Sequence, residues 1–243
     1  MLGVVYRYLS RFLKLYYTFN LQKLGLMYNT DKAVGHFYLP HYQNHFRPFK
    51  FRKLKLLEIG VGGYENPHYG GHSLRMWKSY FWFGKIFAID VFDKSALQEK
   101  RVHIYQGSQI DNEFLENVLI QTGDLDIIID DGSHLNEHVI KTFKLLFPKL
   151  KKGGVYVIED TQTSYWPDKG GDSLNLNNPK TMMSFFKGLT DGLNHKEYVM
   201  PGYEPNYFDR HIISMHFYHN LIFIYKGDNN ESSNLVKNNC RKD

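Results

Sequence analysis

Residues 127–134 read Ile-Ile-Ile-Asp-Asp-Gly-Ser-His. Three β-branched residues run straight into two carboxylates, a glycine, a hydroxyl and an imidazole. Such a run is a strand covered on both faces that turns polar where it emerges from the core. A second stretch, Val155 to Asp160 (VYVIED), has the same form and ends on two acids. If the two strands are parallel neighbours, their carboxyl ends deliver Asp130, Asp131, Glu159 and Asp160 to one crevice.

Working outward, Leu54 to Gly63 (LKLLEIGVGG) is a first core strand followed by a glycine turn. Glycine there permits a tight turn and close approach of backbone to ligand. A dinucleotide fingerprint needs a third glycine, and Glu65 stands in its place, so that motif is absent. After the loop YENPHYGGHS, a helix is expected from about Ser73, then the strand Lys85 to Asp90 (KIFAID). RVHIYQGSQID supplies a third strand and a turn at Gly107-Ser108, with Asp111 as cap of the next helix. Val139 to Leu150 reads as a helix stopped by Gly153-Gly154, and Thr181 to Leu193 as another. HIISMHFYHNLIFIYKG reads as two strands about a tight turn at His219-Asn220. Strands and helices alternate, then two strands follow one another. That order predicts a doubly wound α/β, Rossmann-like, mostly parallel seven-stranded sheet ending in an antiparallel hairpin, the class I S-adenosylmethionine-dependent methyltransferase fold.

In open sheets of this type ligands sit beyond the carboxyl ends of the strands. Glu58, Gly60 and Gly62 around the first turn, Asp90 for ribose hydroxyls, and Ser108, Gln109 and Asp130 are the candidate contacts to a nucleoside cofactor. The remaining acids exceed what a nucleoside needs. Carboxylates packed together raise one another's pKa unless a cation neutralises them. Oxygen donors without cysteine favour Mg²⁺, Mn²⁺ or Ca²⁺ over zinc, so Asp131, Glu159 and Asp160 are candidate metal ligands. His134, three residues past Asp131, is placed to take a proton from an alcohol beside that metal, in preference to His138 one turn on. The plainer alternatives stay open at this point: helix caps, surface acids, and a histidine capping the next helix.

The chain has 243 residues and a single cysteine, Cys240, which excludes an internal disulfide and fits a reducing compartment. Its net charge of +5 is uneven: residues 1–60 hold ten Lys/Arg and two acids, about +8, and the remainder about −3. No nucleic-acid partner is expected, since the basic excess lies outside the central fold. No apolar run reaches membrane-spanning length, and Arg7, Arg11 and Lys14 interrupt any secretory-signal core, so a cytoplasmic protein is expected. Leu2, Val5, Leu9, Phe12, Leu13 and Tyr16 share one helical face. That face packs on the domain or a second subunit, or lies on the inner face of an anionic membrane. Residues 29–46, broken by Gly35 and Pro40, read as an irregular aromatic segment, either surface packing or a lid. The resulting division is 1–50 for helix and lid, 51–227 for the catalytic fold and 228–243 for a polar, unstructured tail.

LLEIGVGGYENPHYGGHSLRMW, IDVFDKS, QGSQID, IIIDDGSH and VYVIEDTQTSYW, between about Asn29 and Asn194, together resemble the metal-dependent sugar O-methyltransferases of macrolide biosynthesis, of the mycinamicin VI and demethylmacrocin type. The resemblance implies Mg²⁺ on Asp131, Glu159 and Asp160, His134 as catalytic base, and a sugar diol chelated before in-line methyl transfer. It also implies that Thr30 to Tyr42, with Tyr42 as a contact, closes over the cofactor. The acceptor implied is a nucleotide sugar, a surface polysaccharide or a glycosylated product, and a homo-oligomer is expected. A catechol-like small diol is the rival acceptor. A non-catalytic module for glycan assembly is the rival function.

Overall fold

The strands over Lys85–Asp90, Leu125–Asp130 and Leu150–Glu159 each carry an apolar run that ends at an acid. The computed structural model describes residues 16–241. The chain divides into two compact units, residues 1–108 and 109–243. Most of the helix expected over residues 2–18 lies outside the described residues.

In the first unit, α1 (Leu21–Tyr28) starts at Asn20, whose side chain accepts from the Lys23 N–H. Two further helices, α2 (Asp31–Val34) and α3 (Leu39–Phe46), follow before β1 (Lys55–Ile59). The irregular segment expected over residues 29–46 is therefore largely helical. Pro40 sits in the first turn of α3, where a missing N–H costs nothing, and so starts the helix instead of breaking it. Tyr42 and Phe46 of α3 are fully buried against Trp77 of α4 (His72–Tyr80), with ring centroids 5.0 and 5.5 Å away. β1, β2 (Lys85–Asp90) and β3 (Val102–Gln106) pair in parallel, Lys55 opposite Lys85 and Asp90 opposite Gln106.

An ion pair joins α2 to β1. Lys32 Nζ lies 3.4 Å from Glu58 Oε1, with the side chains 1% and 0% exposed. Charges this deep are stable only together, so the pair couples the two elements. Lys32→Met is expected to destabilise the protein by about 3–5 kcal/mol, because Glu58 loses the nearby ammonium. The double variant Lys32→Met/Glu58→Leu should recover most of that. Urea unfolding of wild type, single and double variants checks both.

The second unit holds α5 (Asn112–Thr122), β4 (Leu125–Asp130), α6 (Asn136–Leu146), β5 (Leu150–Glu159), α7 (Met182–Leu189), α8 (Tyr207–His211), β6 (Ile212–Tyr218) and β7 (Leu221–Lys226). All six residues of β4 are buried. β5 runs parallel to β4 and antiparallel to β7, and β6 and β7 form the expected hairpin, with Asn220 in a left-handed turn. The seven strands run β3-β2-β1-β4-β5-β7-β6.

Element boundaries in the second unit differ from the sequence reading. The helix expected to reach Leu150 ends at Leu146, because Pro148 in the following tight turn cannot continue it. β5 instead begins at Leu150 and passes Gly153-Gly154 through a register shift against β4. The helix expected to Leu193 stops at Leu189 and gives way to tighter 3₁₀ turns over Asp191–Glu197. Beyond Asp228, Val236–Lys237 pairs with Cys240–Arg241.

Candidate active site

β4 delivers Asp130 at its last residue, and the chain leaves the sheet through Asp131, Gly132, Ser133 and His134. β5 ends at Glu159 and the chain turns at once through Asp160. His134 has φ 56° and Asp160 φ 54°. Both are left-handed, a region that costs a non-glycine residue about 1–2 kcal/mol. Strain of this sort clusters where side chains are held for a purpose.

The two turns bring Asp131, His134 and Asp160 together, with one ligand atom from each within 4.8 Å of the others. His134 Nε2 is 3.6 Å from Asp160 Oδ2 and 3.9 Å from Asp131 Oδ1. All three are half-buried, so a small ligand reaches them from solvent. Glu159 lies outside this group: it is the last residue of β5 and buried. Asp160 takes the facing position because its left-handed backbone turns the chain immediately after the strand.

Below this group lies a polar layer. Gln109 Nε2 donates to Asp130 Oδ1 (3.2 Å) and to Thr142 Oγ1 (3.1 Å), while its Oε1 accepts the Ser133 N–H (2.8 Å). One buried amide thus braces the whole Asp-Asp-Gly-Ser-His turn. Burial pushes the Asp130 carboxyl up to about 7 and neighbouring Asp131 adds to it, against hydrogen bonds from Gln109, the Gly132 N–H and Tyr156. Burial, with Asp130 alongside, raises the Tyr156 phenol well above its ordinary value. His138 Nδ1 lies 3.0 Å from Ser133 Oγ, away from the acidic group.

Asn136 carries a role that the sequence reading passed over. Its buried amide donates to the carbonyls of Thr163 (3.0 Å) and Lys169 (2.9 Å) and accepts the Met182 N–H (2.7 Å). It therefore ties the turn bearing His134 to the loop that begins beside Asp160. The only signal was a polar residue at a position the helix buries. Asn136→Ala strands the Lys169 carbonyl and the Met182 N–H, each worth about 1–3 kcal/mol when left unsatisfied, while the Thr163 carbonyl keeps the Trp166 N–H. Faster amide exchange confined to residues 161–182 is the expected result.

In the first unit, Gly60, Gly62 and Gly63 all take positive φ. A Cβ on Gly63 would meet Tyr69 O at 2.1 Å, whereas one on Gly62 would meet nothing within 4 Å. Gly62 thus leaves an open approach to the backbone. Asp90 accepts the Val61 N–H on Oδ2 and the Phe92 N–H on Oδ1, both at 2.9 Å, and so anchors the glycine turn. Ser108 follows β3, half-buried. Glu58 and Tyr42, also singled out from the sequence, are buried in the core, Glu58 against Lys32 and Tyr42 against Trp77.

No family model matches the chain. Curated relatives do. It is 45% identical over 214 residues to the mycinamicin VI 2''-O-methyltransferase of Micromonospora griseorubida, across 87% of this chain and 54% of that one. It is 47% identical over 214 residues to the demethylmacrocin O-methyltransferase of Streptomyces fradiae, with the same coverage. The MycE methyltransferase of the mycinamycin pathway, solved in complex with Mg and SAH, superposes with a TM-score of 0.84 at 45% identity, over 88% of this chain and 55% of that one. The chain is a homologue of these sugar O-methyltransferases. It spans about half the length of the curated relatives it matches, and its fold is that of the S-adenosylmethionine-dependent methyltransferases.

Proposed function

We propose that the protein is an S-adenosylmethionine- and Mg²⁺-dependent O-methyltransferase acting on a sugar hydroxyl, with Mn²⁺ as an alternative cation. The observation that carries this is the convergence of Asp131, Asp160 and His134 within 4.8 Å. The donor set fits a hard divalent cation: two carboxylates from separate strand ends, and no sulfur. Asp131 and Asp160 would hold the cation, and Glu159, the last residue of β5, is the third ligand proposed. The resemblance of the glycine turn, Asp90 and Ser108 of the first unit to a nucleoside site supports a bound methyl donor. When bound, that donor supplies an electrophilic methyl group and the cation supplies positive charge that acidifies a neighbouring hydroxyl.

The chain's own groups do the rest. His134 accepts the hydroxyl proton at its imidazole, an effect of about 10²–10⁴ in rate. Gln109 and Asn136 hold the two turns in register, so orientation need not be found during each turnover. Residues 51–227 are proposed as the catalytic fold and residues 29–46 as its cover. The acceptor is a sugar in a nucleotide sugar, a surface polysaccharide or a glycosylated natural product. Relatives named for methylating mycinamicin VI and demethylmacrocin support the class. No helix among the described residues is long and apolar enough to cross a membrane. A cytoplasmic enzyme, homo-oligomeric and in peripheral contact with the inner membrane face through residues 2–18, is the associated proposal.

Mass spectrometry tests it. Nucleotide sugars, surface glycans and catechols are incubated with the protein, S-adenosylmethionine and Mg²⁺. Gain of one methyl on a sugar, abolished by chelator, is the expected result. Methylation of catechols alone moves the acceptor to small aromatic diols, and no transfer to any acceptor favours a non-catalytic role.

A further inference from the structure

Among the described residues of the first unit, the amino-terminal ends of β1 and β2 carry a surface that the methyl-transfer reading does not use. Phe19, Phe51 and Phe83 are 61%, 56% and 56% exposed there. Phe19, Phe51 and Trp82 touch one another, with centroids 5.5–6.4 Å apart. Isolated surface aromatics are ordinary, but a mutually packed group in water marks a contact surface. The turn bearing Trp82 and Phe83 is held rigid, because the Arg101 guanidinium donates to the carbonyls of Lys78, Phe81 and Gly84 at 2.8–3.0 Å.

The surround is cationic. Lys55 and Lys85 face each other across β1 and β2, and Arg52 and Lys53 are exposed directly before β1. The first 60 residues contain two acids: Glu58 is buried against Lys32, and Asp31 accepts the Lys32 N–H on its own side chain at the start of α2. Glu99 is already paired with Lys78 at 3.1 Å.

We infer that this face docks on an anionic lipid bilayer. Aromatic rings seat at the boundary of headgroups and acyl chains while lysines and arginines meet acidic headgroups. The ring geometry disfavours nucleic acid. Trp82 meets Phe51 at 85° and Phe19 at 71°, and the Phe19 ring is already covered by Lys50 Nζ at 3.5 Å, so no stacking platform is presented. A second copy would set one cationic rim against another, and residues 1–15 carry Arg7, Arg11 and Lys14 with no acid. Gly60 and Asp90 lie at the opposite, carboxyl ends of these strands, so docking leaves that turn open.

Co-sedimentation of the full chain with vesicles tests this independently of any acceptor. Binding to phosphatidylcholine–phosphatidylglycerol vesicles, falling with added salt and absent on phosphatidylcholine alone, is expected. Phe51→Ser/Trp82→Ser and Lys53→Glu/Lys85→Glu should each weaken it by roughly tenfold or more. Circular dichroism melting accompanies each variant, and Phe83→Ser substitutes for any that melts early. Equal binding to neutral vesicles, no binding, or variants that sediment like wild type would overturn the inference. So would a surface that instead holds an oligonucleotide, or whose variants split a dimer.

Discussion

Asp131→Ala is expected to lose cation affinity by at least about 10²-fold, since even residues that only orient ligands cost 10–100-fold when removed. Turnover should fall with it and be partly restored by raising Mg²⁺. Asp131 sits on the β4 side of the group and Asp160 on the β5 side, 29 residues later, so neither replaces the other. Asp160→Ala should therefore behave alike. Calorimetric titration of Mg²⁺, beside a binding measurement for the cofactor product, separates loss of the cation from collapse of the fold. Full activity of Asp131→Ala in excess chelator removes the metal from the mechanism.

His134→Ala is expected to lower turnover by about 10²–10⁴ while cofactor affinity is retained. The geometry leaves a sharp discriminator. With its Nε2 3.6 Å from Asp160 and 3.9 Å from Asp131, the imidazole is placed either to accept a proton or to bind the cation. As a base, its loss leaves the Mg²⁺ dissociation constant unchanged; as a ligand, it raises that constant. The left-handed backbone adds a second readout. His134→Gly should be about 1–2 kcal/mol more stable than His134→Ala, because glycine carries no Cβ into that conformation. Equal turnover of His134→Ala and wild type would end its role as base.

Much of this was legible from residue order. Ile127–Ile129 and Val155–Ile158 form buried strands because β-branched runs with no polar break have nowhere else to go. Asp90 ends its strand as the pattern of KIFAID indicates, whereas the bonds its carboxylate takes from the Val61 and Phe92 N–H groups were not foreseen. The aromatic segment before β1 misled because glycine and proline punctuate loops in general, yet Pro40 fell at a helix start. Its tyrosine and phenylalanine then packed on Trp77, 35 and 31 residues away in the chain, a partner no local pattern discloses.

Sequence alone determined the alternation of strands and helices, the closing hairpin, and the gathering of acids at strand ends, because these follow from local apolar period and turn chemistry. Only tertiary structure decided that Asp131, His134 and Asp160 come within 4.8 Å of one another. It also decided that Glu58 turns inward to Lys32 and that Asn136 ties the turn bearing His134 to the loop after Asp160. Those outcomes hang on the handedness of single residues and on side chains meeting across tens of positions. Such contacts are set by the packed chain as a whole, and a linear reading holds no record of them.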